Sequence, residues 1–127
     1  WICTYKCALR AWPEIEGHSV QFLRYHFGLI TPFNYSRAEL TAHRALPDAI
    51  VTAAIFLKLT EAMPWSDMVR FSAEPALYTK FHFGKYVGQR YDAVDPSYLE
   101  WIINKSDLEP DIKFSAEHWL NHRKQAA

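Results

Sequence analysis

Between Ala49 and Leu57 only Thr52 interrupts a run of apolar residues. A helix that is apolar nearly all round is buried on most sides, so the run predicts a buried helix over roughly Ala45 to Ala62. Pro47 marks where it begins, because proline is tolerated in the first turn, where the N–H has no intrahelical partner. Pro64 ends it. Asp48 then falls in the first turn and His43 at or just before the helix end. An imidazole and a carboxylate are thereby held at one mouth of a buried helix. A buried carboxylate needs a cation, a donor cluster or a metal. The plain alternative is a capping Asp beside a surface His, and spacing by itself leaves both open.

The other segments pattern as shorter elements. Residues 1–12 read as a short buried strand running into a helix, with Pro13 and Gly17 at its end. His18 to Leu29 carries apolar residues at helical spacing, and Gly28 stands where a C-cap falls. Residues 28–42 read mostly as loop. Ser66-Asp67 is placed to cap a short helix toward Ser72, and Pro75 marks a boundary. Beyond it Tyr78, Lys80 and His82 alternate with Phe81 and Phe83, the pattern of a strand. Gly84 and Gly88 supply turns, and Gln89 to Tyr91 reads as a returning strand. Asp95-Pro96 starts a helix with an N-cap carboxylate and a proline in the first helical position. Tyr98, Leu99, Trp101, Ile102 and Ile103 give that helix a broad apolar face. A last helix runs from near Glu109-Pro110 to Arg123, where its basic end complements the helix dipole.

Composition narrows the function classes. The 127 residues are half hydrophobic and carry zero formal net charge, which argues against a broad basic surface and leaves room for a local one. Tyr78 to Tyr91 is such a place: Lys80, His82, Lys85 and Arg90 interleave with aromatics, and no acidic residue intervenes. Cationic grooves with stacking faces hold single strands. A module this small needs its large apolar side chains inside, so Phe81 and Phe83 are expected in its core, with Lys80, Lys85 and Arg90 facing nucleic acid. Cys3 and Cys7, spaced C-x3-C without a second pair, make a poor zinc signature. They read as reduced core thiols of a cytoplasmic protein. No run approaches the roughly 20 apolar residues that span a bilayer.

His43-Arg44-Ala45-Leu46-Pro47-Asp48, followed by Ala-Ile-Val-Thr-Ala-Ala, resembles the last motif of the DEDDh 3′–5′ exonucleases. Trp1-Ile2-Cys3-Thr4 and Ala11-Trp12-Pro13 resemble the last core strand and next helix of that fold. The resemblance continues through Phe81-His82-Phe83-Gly84-Lys85-Tyr86-Val87-Gly88 and Pro96-Ser97-Tyr98-Leu99-Glu100-Trp101 into the exodeoxyribonuclease X-like members of the family. The blocks in the same order are more specific than either alone.

The resemblance implies an α/β fold class: the C-terminal portion of a ribonuclease H-like exonuclease fold over residues 1–75, then a small α+β module over 76–127. It implies hydrolysis of terminal phosphodiesters at 3′ ends of DNA, single-stranded ends above all. Mg²⁺ or Mn²⁺ would serve in a two-metal site whose ions lie about 3.5–4 Å apart. Asp48 would be a metal ligand and His43 the general base, since an imidazole titrates near working pH. Thr52, one turn after Asp48, reads either as a hydroxyl supporting the metal site or, more in keeping with a mid-helix threonine, as solvated or bonded to the preceding turn's carbonyl. Arg44 either faces phosphate or is a surface residue. The family's other carboxylates, an Asp-x-Glu pair on a first strand and a further Asp, come earlier in the family's chain than the region matching Trp1. The chain is therefore expected to be the C-terminal part of a longer protein, inactive by itself and prone to self-association. A non-catalytic nucleic-acid-binding module with His43 and Asp48 structural is the alternative, and a remnant that supports a partner's fold is a third.

Overall fold

The computed structural model describes residues 1–29 and 45–126. They form two compact units, Trp1–Ser72 and Ala73–Ala127, divided just before Pro75.

The first unit contains α1 (Thr4–Ala11), α2 (Val20–His26), α3 (Ala45–Ala62) and most of α4 (Trp65–Ala73). Where a strand was expected to lead into α1, Cys3 is extended (φ −99°, ψ 108°) but serves as the helix N-cap. Its N–H donates to Ser72 Oγ at 2.8 Å, so the ladder bond that would make a strand goes to a side chain of α4. Among the described residues there is no strand in either unit, and the description that holds is mostly helical. Ser19 caps α2 by accepting from Phe22 N at 3.1 Å. At the other end Gly28 takes φ 57°, its N–H bonds Tyr25 O, and Leu29 N bonds Arg24 O. These paired bonds satisfy the last carbonyls of the helix, and glycine reaches that backbone region without a Cβ penalty.

Both α1 and α2 pack on α3. Cys7, Ala8, Leu23, Val51, Ile55, Leu59 and Met68 form the core. Sequence alone suggested that α3 is buried on most sides. In this unit it buries one stripe, Ile50, Val51, Ala54, Ile55 and Leu59, while Leu46 and Leu57 are 63% and 51% exposed. Among the described residues α1, α2 and Met68 of α4 cover only part of its circumference. Asp67 was expected near a cap position; it lies instead in the first turn of α4, where it accepts from Arg70 at 3.2 Å, and Pro64 O takes the first N–H bonds. Cys7 Sγ donates to Met68 O, and burial pushes its thiol pKa up, so the group is an inert core thiol.

The second unit contains α5 (Pro96–Lys105) and α6 (Pro110–Ala126), packed on each other. Asp95 caps α5 as its sequence indicates, accepting from Ser97 N at 2.9 Å, and the Ser97 hydroxyl, donating at 2.7 Å, together with that N–H holds its carboxyl below the usual range. The expected pair of strands shrinks to one antiparallel bridge between Lys80 and Arg90. Phe81 N bonds Gln89 O, and Gly88, at φ 84°, returns its N–H to Phe81 O at 2.8 Å. The chain turns back too soon for a ladder to extend. Phe81, Tyr91, Val94, Leu99, Ile102, Ile112, Ala116 and Leu120 make the core, with Phe83 partly buried against it.

Candidate functional site

Asp48 sits in the first turn of α3, and there a carboxylate also favours the positive end of the helix dipole. It is partly exposed rather than buried, so water shares in stabilising it. Thr52 Oγ1 donates to Asp48 O at 2.7 Å, the back-bond expected for a mid-helix threonine. His43 and Arg44 lie outside the described residues. As a hard oxygen donor Asp48 suits Mg²⁺ or Mn²⁺. One carboxylate does not hold such an ion. Among the described residues no three His, Cys, Asp or Glu side chains converge on a metal-sized site. The described residues therefore do not constitute the metal site that the resemblance implies. An Asp-x-Glu triplet does occur, Asp107-Leu108-Glu109, but it lies between α5 and α6 and on no strand.

The basic segment of the second unit is built by the Lys80–Arg90 bridge and the turn it closes. Lys85 is exposed, with Nζ 5.0 Å from the Tyr86 ring centroid. Lys80 is partly exposed beside the bridge. Arg90 has a different setting. Its Nε and a terminal nitrogen donate to the two Asp92 oxygens at 3.0 and 3.2 Å, and its guanidinium stands 5.7 Å from the Trp119 ring centroid. The Arg90 bonds hold the Asp92 carboxyl below its ordinary range, and Arg123 donates to Asp92 O. Arg90 thus brings less net charge to this surface than the lysines do. The partner is legible two residues along the chain, just past the acid-free segment.

Three side chains of α6 anchor the approach to this turn. Asp111 accepts from Ala76 N at 3.1 Å, Ser115 Oγ from Tyr78 N at 2.9 Å, and Trp119 Nε1 donates to Tyr78 O at 2.8 Å. Their spacing of four residues puts all three on one face of the helix. That spacing is visible in the sequence, yet nothing there says what the face meets.

No helix of the described residues is long and apolar enough to cross a membrane. Neither a family profile nor a solved structure matches the chain. Two curated proteins do: exodeoxyribonuclease 10 of Escherichia coli strain K12 and that of Escherichia coli O6:H1. Each is 33% identical to this chain over 129 aligned positions, which cover 96% of this chain and 56% of the relative. The chain thus spans about half the length of the curated relatives it matches. With a third of the aligned positions identical along nearly all of its length, the chain is related to exodeoxyribonuclease 10, an exonuclease family relationship.

Proposed function

We propose that this chain is the C-terminal part of a metal-dependent 3′–5′ exodeoxyribonuclease that hydrolyses terminal phosphodiesters of DNA, preferring single-stranded 3′ ends. The observation that carries the reading is the match to exodeoxyribonuclease 10 over 96% of the chain. The His43-to-Asp48 motif supports it at the level of residues. In this reading residues 1–75 belong to a ribonuclease H-like exonuclease domain, to which the described residues contribute helices and no strand. Residues 76–127 form the small module that follows it. Divalent cations, Mg²⁺ or Mn²⁺, supply Lewis-acid stabilisation of the reacting phosphate when bound. Asp48 contributes one oxygen ligand, and His43 accepts the proton of the attacking water. Lys80 and Lys85 meet the phosphate backbone, with Arg90 contributing less through its pairing with Asp92. The free Cys3 and Cys7 suit the reducing cytoplasm.

Activity is tested in protein of full family length on labelled single-stranded DNA with Mg²⁺ or Mn²⁺. His43→Ala is expected to lower kcat by roughly 10²–10⁴, the usual worth of a general base. Asp48→Asn weakens metal binding and rate together, because an amide replaces an anionic oxygen. The 127-residue chain alone is expected to leave the DNA intact. Near-wild-type rates in folded variants would reduce the pair to structural residues and leave the second reading, a non-catalytic nucleic-acid-binding module. Lys85, placed over an aromatic ring, is the observation that favours that alternative.

A further inference from the structure

The second unit carries rings that its core does not use up. Trp101 of α5 is 46% exposed. Its indole lies nearly parallel to the ring of Tyr98 in the preceding turn, 15° between planes with centroids 5.9 Å apart. Tyr98 meets Tyr86 from the Lys80–Arg90 turn at 4.7 Å. Lys85 Nζ stands over both tyrosines, 5.0 Å from the Tyr86 centroid and 5.7 Å from that of Tyr98. Helix and turn together assemble an exposed indole, two tyrosine rings and an ammonium. The acidic neighbour Glu100 is one residue from Trp101, and adjacent helical residues do not share a face.

We infer that Lys85, Tyr86, Tyr98 and Trp101 form a binding platform for unpaired DNA. Bases stack on Trp101 and the adjoining Tyr98 ring, and Lys85 meets the phosphate. Every base offers a π-face, so such stacking is tolerant of sequence, and a nearby cation adds the backbone contact. An apolar protein partner would gain nothing from an ammonium held above the rings. Duplex DNA keeps its bases stacked on one another and has no interior faces to give. The inference rests on the reading that the protein handles DNA. Two residues of this surface, Tyr98 and Trp101, lie on the face of α5 that the sequence marks as apolar.

The test measures binding without hydrolysis. The 127-residue chain is titrated, in EDTA, against fluorescent oligo(dT), an abasic strand of equal length and charge, and a duplex. Oligo(dT) is expected to bind at least about fivefold more tightly than the abasic strand, the effect of stacking one base. Trp101→Ala should weaken oligo(dT) binding by about 5- to 100-fold and Trp101→Phe should recover most of it. Lys85→Ala should reduce the salt slope by about 0.7. Equal affinity for the base-bearing and abasic strands overturns the platform, and that comparison needs no variant to fold. So does absence of binding, or an unchanged affinity in a folded Trp101→Ala chain. A full-length protein that fails to cut DNA, while this chain still binds oligo(dT) through Trp101, removes the nuclease reading and keeps the platform.

Discussion

The two units solve the same problem with different side chains. The buried core of the first is aliphatic and sulfur-bearing: Val51, Ile55 and Leu59 of α3 meet Cys7, Ala8, Leu23 and Met68. Trp12, Phe27 and Phe56 are only partly buried against them, and the core's one polar side-chain hydrogen is the weak Cys7 thiol donor to Met68 O. The second stacks Phe81 on Tyr91 at 3.9 Å and surrounds the pair with Tyr78, Tyr86, Tyr98 and Trp119. Aromatic side chains bury much area per residue, which suits a small unit, but Tyr and Trp carry polar tips into the interior. The second unit answers with side chain-to-backbone bonds from α6, and among the described residues the buried Tyr91 hydroxyl finds no hydrogen-bond partner. Burial also drives the Tyr91 pKa far up, so the hydroxyl stays protonated. Aliphatic packing is tolerant but leaves apolar helix surface exposed, whereas aromatic packing is compact and depends on a few polar anchors.

The sharpest test of that contrast is truncation of one central side chain in each unit. Phe81→Ala is expected to cost about 3–5 kcal/mol and Leu59→Ala about 2–5 kcal/mol. A loss of that size is comparable to the whole stability of a small unit. Hydrogen exchange read amide by amide should place the first loss in α5 and α6 and the second in α1, α2 and α3. Similar loosening of both units by either variant would show that the division at Ser72 is not a division of stability.

The role of the polar anchors is tested at Ser115, whose hydroxyl accepts from Tyr78 N and donates to Asp111 O at 2.8 Å. Ser115→Ala leaves the Tyr78 N–H without its partner and should cost about 1–3 kcal/mol, measured by urea denaturation. A neutral result would mean that ring packing alone positions the segment. The converse experiment is Tyr91→Phe, which removes an unsatisfied group and keeps the ring. It should be neutral or stabilise the second unit by about 1 kcal/mol; a clear loss of stability would show that the hydroxyl has a partner in solution.

The smallest effects are those of pH, and the units should respond in different windows. His18 Nε2 lies 2.7 Å from Trp12 O in a partly buried site, and desolvation lowers its pKa below the ordinary 6.5. The unfolded chain then takes up the proton first. Stability of the first unit falls as pH drops through 6.5 and levels off once folded His18 is itself protonated. Asp92 behaves otherwise. Its pKa is held below the ordinary 3.8, so its contribution is complete above 3.8 and is lost only as pH falls through the folded value. Residue-resolved NMR melts between neutral and acid pH separate the two, and His18→Gln should flatten the response of the first unit alone.

Local chemistry was legible in the sequence wherever a residue acts on its own backbone. Asp95-Pro96 starts α5 and Gly28 closes α2, because a cap, a fixed proline φ and a glycine at positive φ work within a few residues. Thr52 bonds the preceding turn for the same reason. The family, too, was legible, since the motif blocks stand in order along the chain. The tertiary structure decided what depends on neighbours. Which stripe of α3 is buried follows from where α1 and α2 lie, and an apolar run carries no record of that. Alternation around Phe81 suggested strands, but a strand requires a paired partner, and here the chain turns after a single bridge. The charge of Arg90 is offset because the fold aims Asp92 at it, and Trp101 stays at the surface because α6 covers the opposite face of α5 and no described element covers this one.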